Sequence, residues 1–389
     1  MQIDVIRDIV QLAPLRDAWN QAVANSNFDS VFVSHEWFYS WAKNFISNNS
    51  LYVVIARDGD TLLGIMPLVI ERRRRGIWTE TLLRSMSNMQ TYKYNFIVAQ
   101  DGAEAILAAM FQRVNQDLAW TSMILEFVPA PAANVSLLTG IQGKSFYRMR
   151  TDFHMQSPYV TVAGSWEDYL NRRDKKVKKN LEYFERKLGK EGTAEIVSIS
   201  DGDNLDQHIE IALAIEKASW KGEQGSAIAN SQADSGFYLD LARSMSACGK
   251  FGLHFLSFNG DKIAFDYCLM HKDQFNVLKT GYDPAYAKSS PGRVLRKKML
   301  RSLFENGSFQ IYDLLGASDT WKAEWTDETQ TLLHLHIYNH RPIAMLDHAR
   351  TTMLVWAKDK LRQHPRVFQA AKKLYSRLTK SNKTSVPAK

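Results

Sequence analysis

Five consecutive residues combine types that can bind an anion at the start of a helix: Ser289, Ser290, Pro291, Gly292 and Arg293. A serine before the first turn can accept hydrogen bonds from its amides, and proline suits the first helical position. Gly292 leaves those amides unobstructed, and the helix dipole places partial positive charge beside them. The pattern indicates either an ordinary helix cap or a site for a phosphate or pyrophosphate. We expect Lys279 and Tyr282, at the end of the preceding strand, to line the same cleft.

Three carboxylates stand in apolar surroundings. Asp313 lies in IYDLLG, Asp266 in IAFDYCLM and Glu216 in the helical run IEIALAIEKASW. Such a group is either paired with a cation or has a pKa suited to accepting a proton. Lys322 and Lys221 each follow a tryptophan and can pair with a carboxylate or bind a phosphate or sugar hydroxyl. We therefore take Asp313, Asp266, Glu216 and Lys322 as catalytic candidates, with a structural ion pair as the alternative for each carboxylate.

Residues of these types can accept a proton and can donate hydrogen bonds to a developing oxyanion. No serine or cysteine stands in a nucleophile motif such as GxSxG, which favours direct transfer over a covalent intermediate.

Aromatic residues near the lysines are candidates for binding the acceptor. Trp220, Lys221, Trp321 and Trp325 lie in the segments KASWKGE and DTWKAEWT. An indole ring can stack on a sugar face, although tryptophan is found more often in a protein core.

The elements that must position these residues follow a repeated pattern. Segments Trp37–Ile70 and Gly236–Met270 each read as a helix, a strand, a tight turn and a second strand. The turns, Asp58-Gly59 and Asn259-Gly260, are strong hairpin signals. The pattern predicts a duplicated α/β unit, with coincidence as the alternative.

Further elements are predicted in the second unit. Ser165–Gly192 reads as a capped amphipathic helix with a basic face, Gln274–Asp283 as a strand and Pro291–Asn306 as a helix that stops at a glycine. Phe309–Gly316 and His334–Asn339 read as strands. Strands alternating with helices after a hairpin predict a mixed sheet, and thus an α/β (α+β) fold.

Composition limits the class of protein. The chain has 389 residues, 45% of them hydrophobic, and no apolar run of the length that spans a membrane. Its two cysteines, Cys248 and Cys268, have no CxxC spacing, and we expect a cytoplasmic protein without a disulfide framework. His334, His336 and His340 lack an acidic or cysteine ligand at fixed spacing, so we expect no metal.

The basic charge is concentrated at one end. The chain has a net charge of +8, and Pro342–Lys389 holds eleven lysines and arginines against two acidic residues. The remainder is near neutral, which argues against nucleic acid as a partner. The tail pattern is that of a basic amphipathic helix, which either contacts an anionic membrane surface or docks on the protein body.

The C-terminal half resembles the CelD/BcsL branch of GNAT-like acyltransferases (Gcn5-related N-acetyltransferases), which are linked to cellulose and exopolysaccharide biosynthesis. Four segments carry the resemblance: EKASWKGEQGSAI, NGDKIAFDYCL, LKTGYDPAYAKSSPGRVL and YDLLGASDTWKAEWT. In the GNAT fold, the loop between the fourth strand and the next helix holds the pyrophosphate of acyl-CoA. The glycine-rich loop of ordinary GNATs is absent, and Ser-Pro-Gly stands in its place. The arrangement of two GNAT-like lobes is also similar to the FemABX peptidyltransferases.

The resemblance implies two GNAT-like lobes, each with a mixed, mostly antiparallel sheet flanked by helices. We expect a degenerate first lobe at 1–160, an acyltransferase lobe at 161–341 and a basic helical tail at 342–389. The implied donor is acetyl-CoA or another acyl-CoA, and the implied acceptor is a sugar nucleotide or polysaccharide precursor. Two alternatives are a FemABX-like transferase that uses aminoacyl-tRNA and a non-catalytic module that scaffolds a polysaccharide synthase.

Overall fold

A computed structural model gives the fold of residues 1–46, 50–75, 78–131, 133–202, 204–218 and 231–362. The strands of this part of the chain form one sheet, mostly antiparallel. They are β1 Gln2–Ile6, β2 Leu51–Asp58, β3 Thr61–Arg75, β4 Trp78–Ser85, β5 Ile97–Val98, β6 Ser122–Ala130, β7 Arg148–Thr161, β8 Ala194–Ile199, β9 Phe251–Phe258, β10 Asp261–His271, β11 Gln274–Tyr282, β12 Ile311–Asp313 and β13 Thr329–Tyr338.

Helices cover both faces of the sheet. They are α1 Arg16–Ala24, α2 His35–Phe45, α3 Ala103–Asp117, α4 Ala133–Ile141, α5 Trp166–Asn171, α6 Lys175–Glu191, α7 Leu205–Ala218, α8 Gln232–Ser246, α9 Pro291–Asn306, α10 Thr320–Ala323 and α11 Pro342–Arg362. A short 3₁₀ helix, Pro284–Ser289, directly precedes α9.

The two halves of the chain repeat one order of elements. A first strand, two helices, three antiparallel strands, a helix and a parallel strand occur as β1, α1–α2, β2–β4, α3 and β6, and again as β8, α7–α8, β9–β11, α9 and β12. We call these the first lobe and the second lobe. The predicted duplication of an α/β unit is thus present in the topology.

The last strands of the two lobes are exchanged. The strand order is β1-β2-β3-β4-β6-β13-β7-β12-β11-β10-β9-β8. β7, which follows the first lobe in the chain, pairs with β12 of the second, and β13 pairs with β6 of the first. The exchange joins the lobes into a continuous sheet through backbone hydrogen bonds.

Two apolar cores lie on opposite faces of the second lobe. The larger core contains the interior of the first lobe together with buried residues of α7, α8, β9 and β10, such as Phe237 and Tyr267. The smaller core packs α5, α6 and α9 against the other face, around Tyr312, Leu295 and Trp325. The second lobe therefore has one face toward its own helices and one face toward the first lobe.

Most predicted elements are found with shifted ends. The hairpins turn at Gly59 and Gly260, and α9 has the predicted bounds with Gly307 at φ 61° as its stop. The predicted helix Ser165–Gly192 is in fact two helices, because Asp174 accepts a hydrogen bond from the amide of Lys176 and starts a new one. The predicted strand Phe309–Gly316 is only Ile311–Asp313, since Leu315 and Gly316 adopt left-handed φ values.

Candidate functional site

β11 and β12 form a short parallel pair and then diverge. We call the place where the two strands diverge the splay. They pair only between Gln274–Asn276 and Ile311–Asp313, after which β12 ends and the chain turns away. Where the pairing stops, β11 carries a bulge, because Tyr267 of β10 faces Lys279 while Cys268 faces Val277. Leu278 is therefore the extra residue. A bulge beside a splay leaves backbone groups of β11 available for other partners, a common feature next to active sites.

A loop of the first lobe reaches into this splay. The crossing loop, residues 86–96, follows β4. Its Tyr92 donates a hydrogen bond to the carbonyl of the bulged Leu278. Gln90 accepts a hydrogen bond from Tyr238 of α8 at 3.0 Å. The loop thus connects the first lobe to β11 and α8 of the second lobe through hydrogen bonds.

Lys93 of the crossing loop forms a buried ion pair with Asp313. Lys93 Nζ lies 2.6 Å from Asp313 Oδ2, and the two side chains are 9% and 5% exposed. Asp313 Oδ1 accepts the amide of Leu315 at 2.9 Å. Neighbouring residues of a strand point to opposite faces, so Tyr312 enters the core under α9 while Asp313 faces the first lobe. Of the two alternatives predicted for Asp313, the ion pair is present in the structure, and the role as proton acceptor stays a prediction.

Lys279 lies beside the bulge on the same side of the sheet. Its Nζ is 5.3 Å from the ring centre of Tyr238. Burial lowers the pKa of Lys279, and the carboxylates of Glu216 and Asp234 only partly offset this effect. Glu216 is itself 1% exposed on α7. The structure therefore brings the predicted residues Lys279 and Glu216 into electrostatic contact.

Asp266 and Trp321 both contact Arg296, on the opposite face of the sheet under α9. Arg296 Nη2 lies 3.4 Å from Asp266 Oδ1, and the guanidinium stands 4.4 Å from the ring centre of Trp321. Burial disfavours the charge of Arg296, but Asp266 and the neighbouring Tyr312 raise its pKa overall. Because Asp266 and Asp313 occupy opposite faces, they do not act at one point.

Lys322 holds the turn that follows β12. Its Nζ donates to the carbonyl of Leu315 and to that of Ala317, the latter at 3.0 Å. A Cβ at Gly316 would lie 3.4 Å from this Nζ and 3.8 Å from the ring of Tyr92. Lys322 therefore fixes the backbone on the β12 side of the splay, opposite Tyr92.

The start of α9 differs in detail from the predicted cap. Ser290 has φ 46° and ψ 55°, and its side chain makes no capping hydrogen bond. Its main-chain carbonyl instead accepts the amides of Arg293 and Val294 at 3.0 and 3.2 Å. The prediction that the Ser290 side chain caps the helix is wrong, because the left-handed backbone turns that side chain away from the first turn.

Among the other residues at the start of α9, Gly292 has free space beside its backbone. Ser289 and Pro291 are buried. Arg293 forms a bidentate pair with Glu324 at 2.8 and 2.7 Å. A Cβ at Gly292 would meet only Tyr282 Cδ1, at 3.9 Å. A ligand could therefore approach the backbone at Gly292, next to the ring of Tyr282. The first turn of α9 contains no acidic residue.

A cavity of about 340 Å³ opens beside the Lys93–Asp313 pair. Gln274, Gln330, Thr329 and Tyr159 contribute polar groups to its lining. Amide and hydroxyl groups of this kind can donate and accept hydrogen bonds with a polyhydroxylated ligand.

Several predicted residues lie apart from this centre. Trp325 is 1% exposed in the smaller core, where Tyr169 donates to its carbonyl at 2.6 Å, so its ring is not available to a saccharide. Trp220 and Lys221 lie outside the described residues. Tyr92 and Lys93 were missed in the sequence, where TYKY in a polar segment between strands gives no sign that it reaches the second lobe.

The predicted histidines form a separate group. His334 stacks on His154 with ring centres 4.0 Å apart, and His336 Nε2 lies 3.3 Å from Asp152. Burial lowers the pKa of both His334 and His336. Within the described ranges, no group of three or more histidine, cysteine and acidic side chains is arranged to hold a metal ion.

Residues 175–323 match the family described as an acetyltransferase (GNAT) domain. This range contains the bulge, the splay and α9, so the chain contains a GNAT-type acyltransferase domain. No curated protein matches the chain.

Solved structures similar to the chain extend the likeness in fold to both lobes. FemX has a TM-score of 0.57 at 9% identity, covering 89% of this chain and 99% of its own. A conserved protein of unknown function from Bacteroides thetaiotaomicron has 0.55 at 10%, covering 87% and 100%. The C-terminal domain of a putative lysylphosphatidylglycerol synthetase from Agrobacterium fabrum has 0.51 at 10%, covering 88% and 97%. At these identities the likeness concerns the two-lobed GNAT-like fold.

Proposed function

We propose that this protein transfers an acyl group from acyl-CoA to an amine or hydroxyl of a sugar nucleotide or polysaccharide precursor. The observation that carries the proposal is the bulged splay between β11 and β12 inside the GNAT-type domain. The acceptor attacks the thioester carbonyl, the C–S bond breaks, the acceptor loses its proton and the thiolate leaves as the thiol. The protein must therefore bind an anionic donor, stabilise an oxyanion and move one proton.

The helix start at Gly292 is the proposed site for the donor pyrophosphate. Gly292 presents open backbone at the positive end of a 16-residue helix whose first turn has no acidic residue. Arg293 adds a guanidinium group, which forms an ion pair with Glu324 in this structure. A pyrophosphate would compete with Glu324 for that guanidinium, and charge-assisted bidentate contacts favour the more highly charged partner.

The 340 Å³ cavity beside Asp313 is the proposed acceptor site. Its amide and hydroxyl lining suits a saccharide, and it adjoins the buried Lys93–Asp313 pair. Asp313 is the proposed proton acceptor, since a carboxylate keeps lone pairs beyond those used by Lys93 and Leu315. Lys279, whose pKa is lowered by burial, lies on the same side and is the second proposed proton acceptor.

Calorimetric titration with acetyl-CoA tests the donor and its site. We expect micromolar binding to the unaltered protein and none to Gly292→Asp, because the carboxylate would occupy the place of the pyrophosphate. Gly292→Ala is the matched control, since its Cβ has space and carries no charge. Glu104→Gln, in the first turn of α3, is the second control and should leave binding unchanged. Equal affinity of Gly292→Asp and Gly292→Ala would remove this helix start as the donor site.

A second candidate is transfer from aminoacyl-tRNA, as in FemABX proteins. The observation in its favour is the likeness in fold to FemX over 89% of the chain. The near-neutral body speaks against it, because a large anionic ligand needs a large basic surface. Absence of any binding of acetyl-CoA or CoA to the unaltered protein, together with salt-sensitive binding of charged tRNA, would favour this candidate over the first.

A further inference from the structure

Helix α11 presents an apolar surface that no described residue covers. Leu346, Met353 and Trp356 are 71%, 70% and 62% exposed, and Ala349 between them is exposed as well. The spacing of three, four and three residues places these four side chains in a single stripe along the helix. We call this set the apolar stripe.

The stripe lies away from the protein body. The opposite side of α11 is fixed to the sheet by Ala344, which is fully buried, and by His348, whose ring packs edge-on against Tyr338 at 4.9 Å and Tyr147 at 5.8 Å. Of the eleven large hydrophobic side chains exposed in the described part of the chain, six belong to α11. Such a concentration on one helix marks an interaction surface.

The charge next to this helix indicates the kind of partner. Residues 363–389, directly after α11, contain seven lysines and arginines and no acidic residue. Arg341, Arg350 and Lys360 add exposed positive charge at or next to the helix. A protein partner or a second copy could bury an apolar stripe, but a sequence with seven basic and no acidic residues directly after the helix favours a surface with dense negative charge.

We propose that α11 docks on an anionic lipid bilayer, with the apolar stripe inserted at the headgroup boundary. Trp356 has the amphipathic ring that suits this boundary. Since no helix in the described ranges is long and apolar enough to cross a membrane, this mode is a peripheral one. The inference is independent of the proposed acyl transfer, because none of its residues belongs to the splay or the cavity.

Co-sedimentation of the 389-residue protein with lipid vesicles tests the proposal. We expect binding to vesicles of phosphatidylcholine and phosphatidylglycerol in equal parts, at least about tenfold stronger than to phosphatidylcholine alone, given the charge of the adjacent segment. Raising the salt to about 0.5 M should weaken this binding, because exposed charges are then screened.

Two double variants separate insertion from simple charge attraction. Met353→Glu with Trp356→Glu should weaken binding to the mixed vesicles at least about tenfold. Val10→Glu with Tyr183→Glu, at exposed apolar positions on the body, adds the same charge elsewhere and should change binding little. Equal loss in the two double variants, or no binding of the unaltered protein, would overturn the proposal. A dimer of the unaltered protein that becomes a monomer in the Met353/Trp356 variant, without vesicle binding, would assign the stripe to a second copy instead.

Discussion

The two lobes share one order of elements but differ at the place where a GNAT-like lobe can bind a donor. Each has a parallel pair of three residues, Leu82–Arg84 with Ser122–Ile124 in the first lobe and Gln274–Asn276 with Ile311–Asp313 in the second. In the first lobe, β4 pairs with β3 in continuous register, whereas β11 bulges at Leu278. Only the second lobe therefore frees backbone groups at its splay.

The connection from the parallel pair to the next helix differs as well. In the second lobe, residues 283–290 lead directly into α9, whose first turn has no acidic residue. In the first lobe, residues 86–102 intervene, and the first turn of α3 contains Glu104. A carboxylate at a helix N-terminus occupies the favourable potential that an anionic ligand would use. The first lobe thus repeats the topology of the proposed donor site but has an acidic residue where that site has none.

The longer connection explains what the first lobe contributes. It forms the crossing loop that places Tyr92 and Lys93 at the splay of the second lobe. The candidate site is therefore shared between the lobes: the second lobe supplies the strand edge and helix start, and the first lobe supplies the side chains of Tyr92 and Lys93.

The largest expected effect comes from Asp313→Asn. Loss of the proposed proton acceptor should lower turnover about 10²- to 10⁴-fold and leave the affinity for acetyl-CoA near normal. The measurement is the initial rate of thiol release with a saturating acceptor, beside calorimetric titration of the donor. Glu126→Gln, in β6 of the first lobe, should leave turnover unchanged. Full activity of Asp313→Asn in folded protein would exclude Asp313 as the base.

The next effect concerns stability and contrasts the ion pair between the two lobes with the ion pairs of Arg84 inside the first lobe. Lys93→Ala leaves Asp313 as an uncompensated buried charge and should lower the free energy of unfolding by about 3–5 kcal/mol. Arg84→Ala breaks the ion pairs of this residue with Glu126 and with Glu71. Because the Arg84 side chain is 29% exposed, the loss should be about 1 kcal/mol or less.

Urea unfolding of both variants measures this difference. The double variant Lys93→Met with Asp313→Leu removes both charges and should recover most of the loss, because a buried pair replaced by apolar groups is often neutral. Equal losses for Lys93→Ala and Arg84→Ala would mean that the pair at the splay is no more desolvated than the ion pairs of Arg84 in the first lobe.

The smallest effect is a pH dependence at Lys279. Since burial lowers its pKa, the unfolded chain binds a proton that the folded protein does not, between the lowered value and the ordinary value of about 10.4. The stability cost is fully present below the lowered pKa and disappears as the pH rises toward 10.4. Lys279→Met should therefore gain stability over the unaltered protein at neutral pH and lose that advantage at high pH. An advantage that stays constant from pH 7 to 10 would contradict the assigned shift.

Local patterns in the sequence predicted the framework of both lobes. The hairpins at Gly59 and Gly260, the helix Pro291–Asn306 and the repeat of the unit all follow from turn residues and apolar periodicity over short windows. Element ends were less accurate, as at Asp174 and Leu315, because a single side-chain cap or a left-handed residue can end an element within an otherwise continuous pattern.

Only some residues of the candidate site could be predicted from the sequence. Asp313 stands out as a charged residue in an apolar segment, Lys322 because it follows a tryptophan, and Lys279 because it ends the strand before the Ser-Pro-Gly loop. Trp325 stands out as an aromatic residue near a lysine, yet its ring is in the core, since local pattern does not distinguish a buried indole from an exposed one.

The elements and the charged residues of the second lobe can be predicted from the sequence, because these depend on neighbours within a few turns or strands. In contrast, the face that each carboxylate occupies and the side chains that complete the splay depend on the tertiary structure. Lys93 and Tyr92 reach their partners across 220 and 186 residues of chain. Such contacts depend on how the exchange of β7 and β13 joins the two lobes into one sheet. No local sequence pattern encodes that arrangement.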